Sequence, residues 1–156
     1  MPSAEAPQTA DDRIRVQFGD LPVPDLAPAV ASPPSLDRAK VAIVTTAGLT
    51  TGGHHRLWTI GDTSFSVLPG NARDLQLSHV SPNLDRVGIV ADLNVVYPID
   101  RLQEWADEGR IGSLNERHLS FMGAQMDFTT ILTDTGPAAA QLLLDDGVDV
   151  VLLTPV

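Results

Sequence analysis

Residues 146–156 read D-G-V-D-V-V-L-L-T-P-V, and the reading of this stretch decides the fold class. Successive side chains of an extended chain point to opposite faces, so Val148, Val150 and Leu152 share one face and Val151 and Leu153 the other. Only Asp149 breaks the apolar character. A strand that is apolar on both faces belongs in the middle of a parallel sheet covered by helices, and full burial is the expectation here. Just upstream, 137–145 (P-A-A-A-Q-L-L-L-D) reads as a helix, with Pro137 at the first position, where its missing N–H costs nothing, and Gly147 at the exit turn. Helix, glycine and apolar strand make one arm of a βαβ unit. The expected fold is therefore α/β, an open, mostly parallel sheet flanked by helices. Ligands of such sheets bind beyond the carboxyl ends of the strands, which puts Thr154, Pro155 and Val156 beside a site.

Working outward, 40–46 (K-V-A-I-V-T-T) is a second strand apolar on both faces, followed by Ala47, Gly48 and Leu49 and then a loop T-T-G-G-H-H-R-L-W. That glycine turn lacks the spacing of a dinucleotide or phosphate-binding fingerprint and reads as a tight structural turn. Residues 61–69 place a polar turn before a strand alternating at Phe65 and Val67; Pro69, Gly70 and Asn71 form a turn, and 75–79 is another short strand. The stretch 78–98 reads as a long polar-rich loop. A helix is expected over 100–108, with Leu102, Trp105 and Ala106 on one face and Gly109 ending it. A short strand over 118–121 enters a further glycine turn, and Phe128, Ile131 and Leu132 form a helical stripe that Pro137 restarts as the last helix. Trp58 and Trp105 read as core or loop anchors.

Residues 1–39 hold seven of the twelve prolines, with one alternating apolar patch at Ile14, Val16 and Phe18. They read as a Pro-rich arm or flexible tail, the patch being a possible short edge strand, ahead of an α/β domain over 40–156. The chain is 156 residues long, 43% hydrophobic, and carries 20 acidic against 10 basic residues for a net charge of −10. Its length suits one domain, and its composition a soluble globular protein. Nucleic acid and anionic membrane surfaces are poor partners for that charge. No apolar run approaches the eighteen or so residues of a membrane span, and the N-terminus has neither the basic start nor the apolar core of a secretion signal, so a cytoplasmic protein is expected. The cysteine count is zero. Disulfides, thiolate metal sites and thiol nucleophiles are thereby excluded from these residues.

Several side chains have the chemistry of a site. The adjacent His54 and His55 point to opposite sides of an extended backbone and suit a shared metal poorly. Ser78, His79, Asp85 and Asp92 have the residue types of a hydrolytic triad, and Ser120 with His118 offers another nucleophile and base, but neither serine sits in a nucleophile elbow. Asp62, Asp85, Asp92 and His79 offer hard-metal ligands. Asp85 and Arg86, or Asn83 and Asp92, serve equally well as caps and pins of a long loop. No metal is expected.

The order of motifs is more specific than any one of them: V-A-I-V-T-T-A-G-L, G-D-T-S-F, S-H-V-S-P-N-L-D-R, D-L-N-V-V-Y-P-I-D-R-L, F-M-G-A, then D-G-V-D-V-V-L-L-T-P-V. Together they resemble the glycine/sarcosine/betaine/D-proline reductase selenoprotein B family over about 40–156. In that family the last strand leads into a redox motif of selenocysteine or cysteine, two residues and a cysteine. The resemblance implies that Thr154, Pro155 and Val156 are the lead-in to that motif. Because selenocysteine is encoded by UGA, it further implies an N-terminal part of a longer selenoprotein ending at an in-frame UGA; a natural truncation is the alternative.

The implied activity is reductive cleavage of a carbon–nitrogen bond in a small amino acid or betaine, by an oxidoreductase with a disulfide or selenide-sulfide as acceptor. No cofactor is implied in these residues beyond the selenocysteine of the full-length protein, and the chain alone is expected to be inactive. Partners implied are a small-molecule substrate, reductase-complex subunits (a pyruvoyl-bearing one in the amino-acid reductases) and a thiol reductant. Thr46, Gly48, Asp62, Ser78, His79, Asn83, Asp85, Arg86, Asp92 and Asn94 lie in the shared blocks and are the implied substrate-pocket candidates, with Arg86 pairing a carboxylate and His79 moving a proton. The rival from another class is a non-catalytic α/β binding or regulatory module without the redox motif.

Overall fold

The computed structural model describes residues 9, 31–52 and 58–156, and its contacts divide the chain into Met1–Ala31 and Ser32–Val156. All strands and helices among the described residues lie in the second unit. The alternating patch at 14–18, His54 and His55 lie outside the described residues. No helix among the described residues is long and apolar enough to cross a membrane.

The strand β1 (Lys40–Thr45) is the axis of the main sheet. On one edge it pairs in parallel with β7 (Val150–Thr154), from Val41 opposite Val150 to Thr45 opposite Thr154. Its other edge is shared by two short parallel strands, β5 (Ser113–Leu114) at the start and β6 (Arg117–Phe121) at the end. Between them the ladder is completed by a side chain: the Ile43 N–H donates to Nδ1 of His118 at 3.0 Å. Outside β6 lies β3 (Phe65–Pro69), antiparallel. A separate antiparallel ribbon joins β2 (Leu49–Thr51) to β4 (Leu75–Leu77).

Alternation along β1 sorts the core into two layers. Val41 and Ile43 pack with Leu68, Tyr97, Ile99 and Leu102 on the face covered by α2 (Ile99–Asp107), while Ala42 packs with Leu119, Ala139 and Leu143 on the face covered by α3 (Gly136–Asp145). The expected α/β architecture is present. Trp58 is buried, and Trp105 is half-exposed with the Arg110 guanidinium 4.1 Å from its ring centre.

Four local expectations need correction. The strand at 150–154 forms, but it is not fully buried: Val151 and Leu152 are exposed and Leu153 is 68% exposed. The reason is topological, since β7 pairs with β1 alone among the described residues. The stretch 78–98 is not all loop; it contains α1 (Arg86–Ala91) and a 3-10 turn at Leu93–Val95. Likewise Thr50 and Thr51, read as the start of a loop, belong with Leu49 to β2. Pro137 does not restart the last helix. The helix runs through a π turn at Ile131–Thr135 directly into α3, because a proline ring cannot accept the carbonyl of residue i−4 in a regular α turn and the wider turn relieves that conflict.

Candidate functional site

At the carboxyl ends of β1, β6 and β7 the backbone is drawn together by one residue, Thr46. Its N–H donates to the Thr154 carbonyl at 3.2 Å, and its carbonyl accepts from the Gly123 N–H at 2.9 Å. Its hydroxyl accepts from the Val156 N–H at 2.9 Å and lies 3.3 Å from the Val156 carbonyl. On the far side, the Thr154 hydroxyl donates to the Val96 carbonyl at 2.8 Å.

Gly48 then turns the chain with φ of +62°, a left-handed conformation that favours glycine. A Cβ there would lie 3.2 Å from the His79 Cα, and the Ser78 N–H donates to the Gly48 carbonyl at 3.0 Å. The exit of β4 is thus pressed onto the end of β1, and His79 is delivered to the strand ends. Its ring is buried. Nδ1 accepts from the Ser81 N–H at 3.1 Å, so in the neutral ring the proton is assigned to Nε2. Burial, assisted by the nearby Arg86 charge, holds the ring below the usual histidine value and keeps it neutral.

Among the described residues Nε2 of His79 has no hydrogen-bond partner. It points at Gly123: a Cβ on that glycine would lie 3.0 Å from Nε2, 2.9 Å from the Val156 carbonyl and 3.0 Å from the Thr46 carbonyl. Any side chain at 123 would strike all three polar atoms. The result is a neutral N–H donor and two carbonyl acceptors gathered around one Cα. A buried donor without a partner costs about 1–3 kcal/mol, so its retention needs a reason.

The turn after β6 continues through Ala124, whose φ of 57° is left-handed although it is not glycine. The Gln125 side-chain amide donates to the carbonyls of Asp62 (2.8 Å) and Met122 (3.1 Å), tying the Asp62 loop to this turn. A cleft of about 310 Å³ adjoins it, lined by Gly61, Thr63, Ala124, Gln125 and Met126 among others.

Of the residues expected at the site, the structure brings together Thr46, Gly48, Ser78, His79, Thr154 and Val156, with Pro155 between the last two. Asp62 is joined to them through Gln125; its carboxylate accepts from the N–H and hydroxyl of Ser64. Arg86 stands behind His79, its guanidinium donating to the carbonyls of His79 (2.7 Å) and Ser81 (2.9 Å). The others hold the loop. Asp85 caps α1 by accepting from the Val87 N–H at 3.0 Å, and the Asn83 N–H donates to the Ser81 hydroxyl at 3.3 Å. Asp92 accepts from the N–H and side chain of Asn94, and Asn94 in turn bonds the N–H and carboxylate of Asp100 at the start of α2.

The hydrolytic arrangements are not assembled: Nδ1 of His79 faces a backbone amide rather than a carboxylate, and the buried Ser120 hydroxyl accepts from the Leu49 N–H at 2.7 Å. Nor do Asp62, Asp85, Asp92 and His79 converge, for among the described residues no three His, Cys, Asp or Glu side chains are placed to share a metal ion. Sequence reasoning missed Gly123 and Gln125 as site residues. The F-M-G-A block after a strand was the available signal for the first; nothing in the sequence marked the second.

Residues 18–156 match the family described as glycine/sarcosine/betaine reductase selenoprotein B. The match begins upstream of Lys40, within the Pro-rich segment that the six motif blocks had left outside the resemblance. The D-proline reductase subunit gamma of Acetoanaerobium sticklandii is 38% identical over 136 residues, covering 85% of this chain and 55% of the relative. The sarcosine reductase complex component B subunit beta of Peptoclostridium acidaminophilum is 27% identical over 139 residues, covering 86% of this chain and 32% of the relative. The chain thus spans about half the length of the first relative and a third of the second. No solved structure matches.

Proposed function

The chain belongs to the glycine/sarcosine/betaine reductase selenoprotein B family, and from that membership we propose that it is part of a reductase that cleaves the carbon–nitrogen bond of a small amino acid or betaine. The substrate is held at the carboxyl ends of β1, β6 and β7. The observation that carries this reading is the unpartnered, buried Nε2 of His79, aimed at Gly123 between the carbonyls of Thr46 and Val156. Donor and acceptors suit the two ends of such a substrate. The neutral imidazole N–H donates to a carboxylate, and the carbonyl dipoles face a cationic nitrogen.

None of the 156 residues is a cysteine, so the selenol or thiol comes from outside them, and Thr154, Pro155 and Val156 lead to its position. A selenolate or thiolate, when present, would supply a soft nucleophile that an external thiol reductant regenerates, and in this cluster the His79 N–H is the group that can face its charge while the two carbonyls cannot. His79, with Nδ1 occupied by the Ser81 amide, acts as a hydrogen-bond donor rather than a proton shuttle. Arg86 is a positioning residue that clamps the His79 loop through its carbonyls. Other subunits of a reductase complex and a thiol reductant are the partners, and the compartment is the cytoplasm.

Two measurements test this. The coding sequence after Val156 is expected to specify selenocysteine or cysteine with a further cysteine close by; a frame with neither refutes the placement of the redox residue. In the full-length, selenium-containing or cysteine-substituted protein, His79→Ala is expected to lower kcat/KM by about 10²-fold. Unchanged turnover removes His79 from the site. A second reading is a binding or regulatory module without redox chemistry; specific binding of an amino acid or betaine without reductase activity in the assembled complex would select it.

A further inference from the structure

Among the described residues the outer edge of β7 is unpaired. Val41 turns its carbonyl to Asn115 and Ile43 its N–H to His118 on the opposite edge of β1, so Ala42 and Val44 face β7; with Ala42 opposite Val151, and with the Thr154 carbonyl accepting from the Thr46 N–H, the backbone groups of Val150, Leu152 and Thr154 turn toward β1 while those of Val151 and Leu153 turn outward. Exposed edges are normally blunted by charge, proline or a bulge. The five residues V-V-L-L-T carry no charge and no proline. Both faces are apolar and partly bare, with Val151 and Leu152 exposed and Leu153 more so, and Leu144 on the helix leading into the strand is 66% exposed. That combination, apolar on two faces and open on one edge, is the pattern of an interior strand of a parallel sheet.

We propose that in the intact reductase subunit β7 is an interior strand, its outer edge paired in parallel with a strand from the part of the subunit that this chain does not span. The occupant follows from length and from charge. The chain covers 55% of the related gamma subunit, so nearly as much polypeptide again lies outside the match. A second copy would pair β7 with itself across a two-fold axis, closing the edge but leaving both faces bare, and would bring together two chains of net charge −10. An α/β continuation covers the edge with a strand and the faces with its helices. This inference rests on family membership and not on the role of His79.

Hydrogen exchange on the intact subunit tests it. The amides of Val151 and Leu153 are expected to exchange at least on the order of a hundredfold more slowly than those of an open edge, at all protein concentrations. Free exchange of these amides in the intact subunit overturns the proposal. Protection that vanishes on dilution to monomer also overturns it, in favour of a second copy. Because the readout is independent of turnover, an inactive protein with protected amides refutes only the reductase reading, and an active one with open amides refutes only this one.

Discussion

Two histidines share one device and serve different ends. In both, Nδ1 accepts a backbone N–H, from Ser81 in His79 and from Ile43 in His118. His118 lies entirely within the sheet, edge-on to Tyr97 at 5.7 Å, and burial pushes its pKa down to about 4. The unfolded chain, with histidine near 6.5, therefore binds more protons than the folded chain as pH falls from about 6.5 to about 4. Its contribution to stability is intact above that window and is lost progressively within it, by about 3 kcal/mol in all at about 1.4 kcal/mol per pH unit. His118→Phe is expected to abolish this component in denaturation curves compared at pH 7 and pH 4, and to cost about 1–3 kcal/mol at pH 7 by leaving the Ile43 N–H unpaired. A pH dependence equal to that of the parent would show that His118 is not the titrating group. His79 has the complementary expectation: His79→Gln keeps an N–H donor and should restore part of the turnover that His79→Ala loses, with melting temperatures of the two variants alike. Equal loss in both would show that geometry, rather than donation, is what His79 supplies. The residue types at this site were legible in the sequence, including His79, Thr46 and Gly48. What each Nδ1 bonds was not, because that partner is a backbone amide whose position depends on the tertiary fold.

Elements with a clear period were legible and those too short to have one were not. The apolar runs of β1 and β7, the alternation of β3, and the stripe of α2 with Gly109 behind it were readable directly. By contrast β5 has two residues, β2 three and α1 six, V-G-I-V at its centre, and none of these spans enough chain to separate strand, helix and loop. Their presence is decided by neighbours, as at Gly112 before β5. That residue donates its N–H to the carbonyls of Leu36 (2.9 Å) and Ala39 (3.0 Å), and a Cβ on it would lie 2.4 Å from the carbonyl carbon of Arg38. Backbone against backbone cannot yield as a flexible side chain does. Gly112→Ala should therefore destabilise the domain by about 1–3 kcal/mol or more, as forced overpacking does, and loosen the pairing of β5 with β1. Thermal denaturation gives the first and exchange of the Asn115 amide, which donates to Val41, gives the second. Gly109 is the control, since nothing lies within 4 Å of a Cβ there and only its φ of +69° opposes a side chain; Gly109→Ala should cost less than Gly112→Ala.

At the scale of the molecule, the apolar pattern of 148–153 is rightly read as a strand of a parallel sheet and wrongly as a buried one. An apolar two-faced strand says what surroundings a strand is suited to, and it cannot say whether those surroundings lie within the same 156 residues. Among the described residues β7 has β1 on one edge only, and Leu153 stands 68% exposed. Its environment should accordingly differ between this chain alone and the intact subunit, and one substitution can read that difference. In the isolated 156-residue chain, Leu153→Lys replaces an exposed side chain and should change stability by no more than about 0.5 kcal/mol, while reducing self-association in sedimentation velocity and binding of an apolar dye. In the intact subunit the same position is covered, a lysine there loses apolar burial and must shed its hydration, and the cost should reach about 2–3 kcal/mol. The contrast between the two backgrounds is the measurement. A neutral effect in both would mean that the strand stays bare in the assembled protein, and a large cost in both would mean that Leu153 is already packed in the isolated chain.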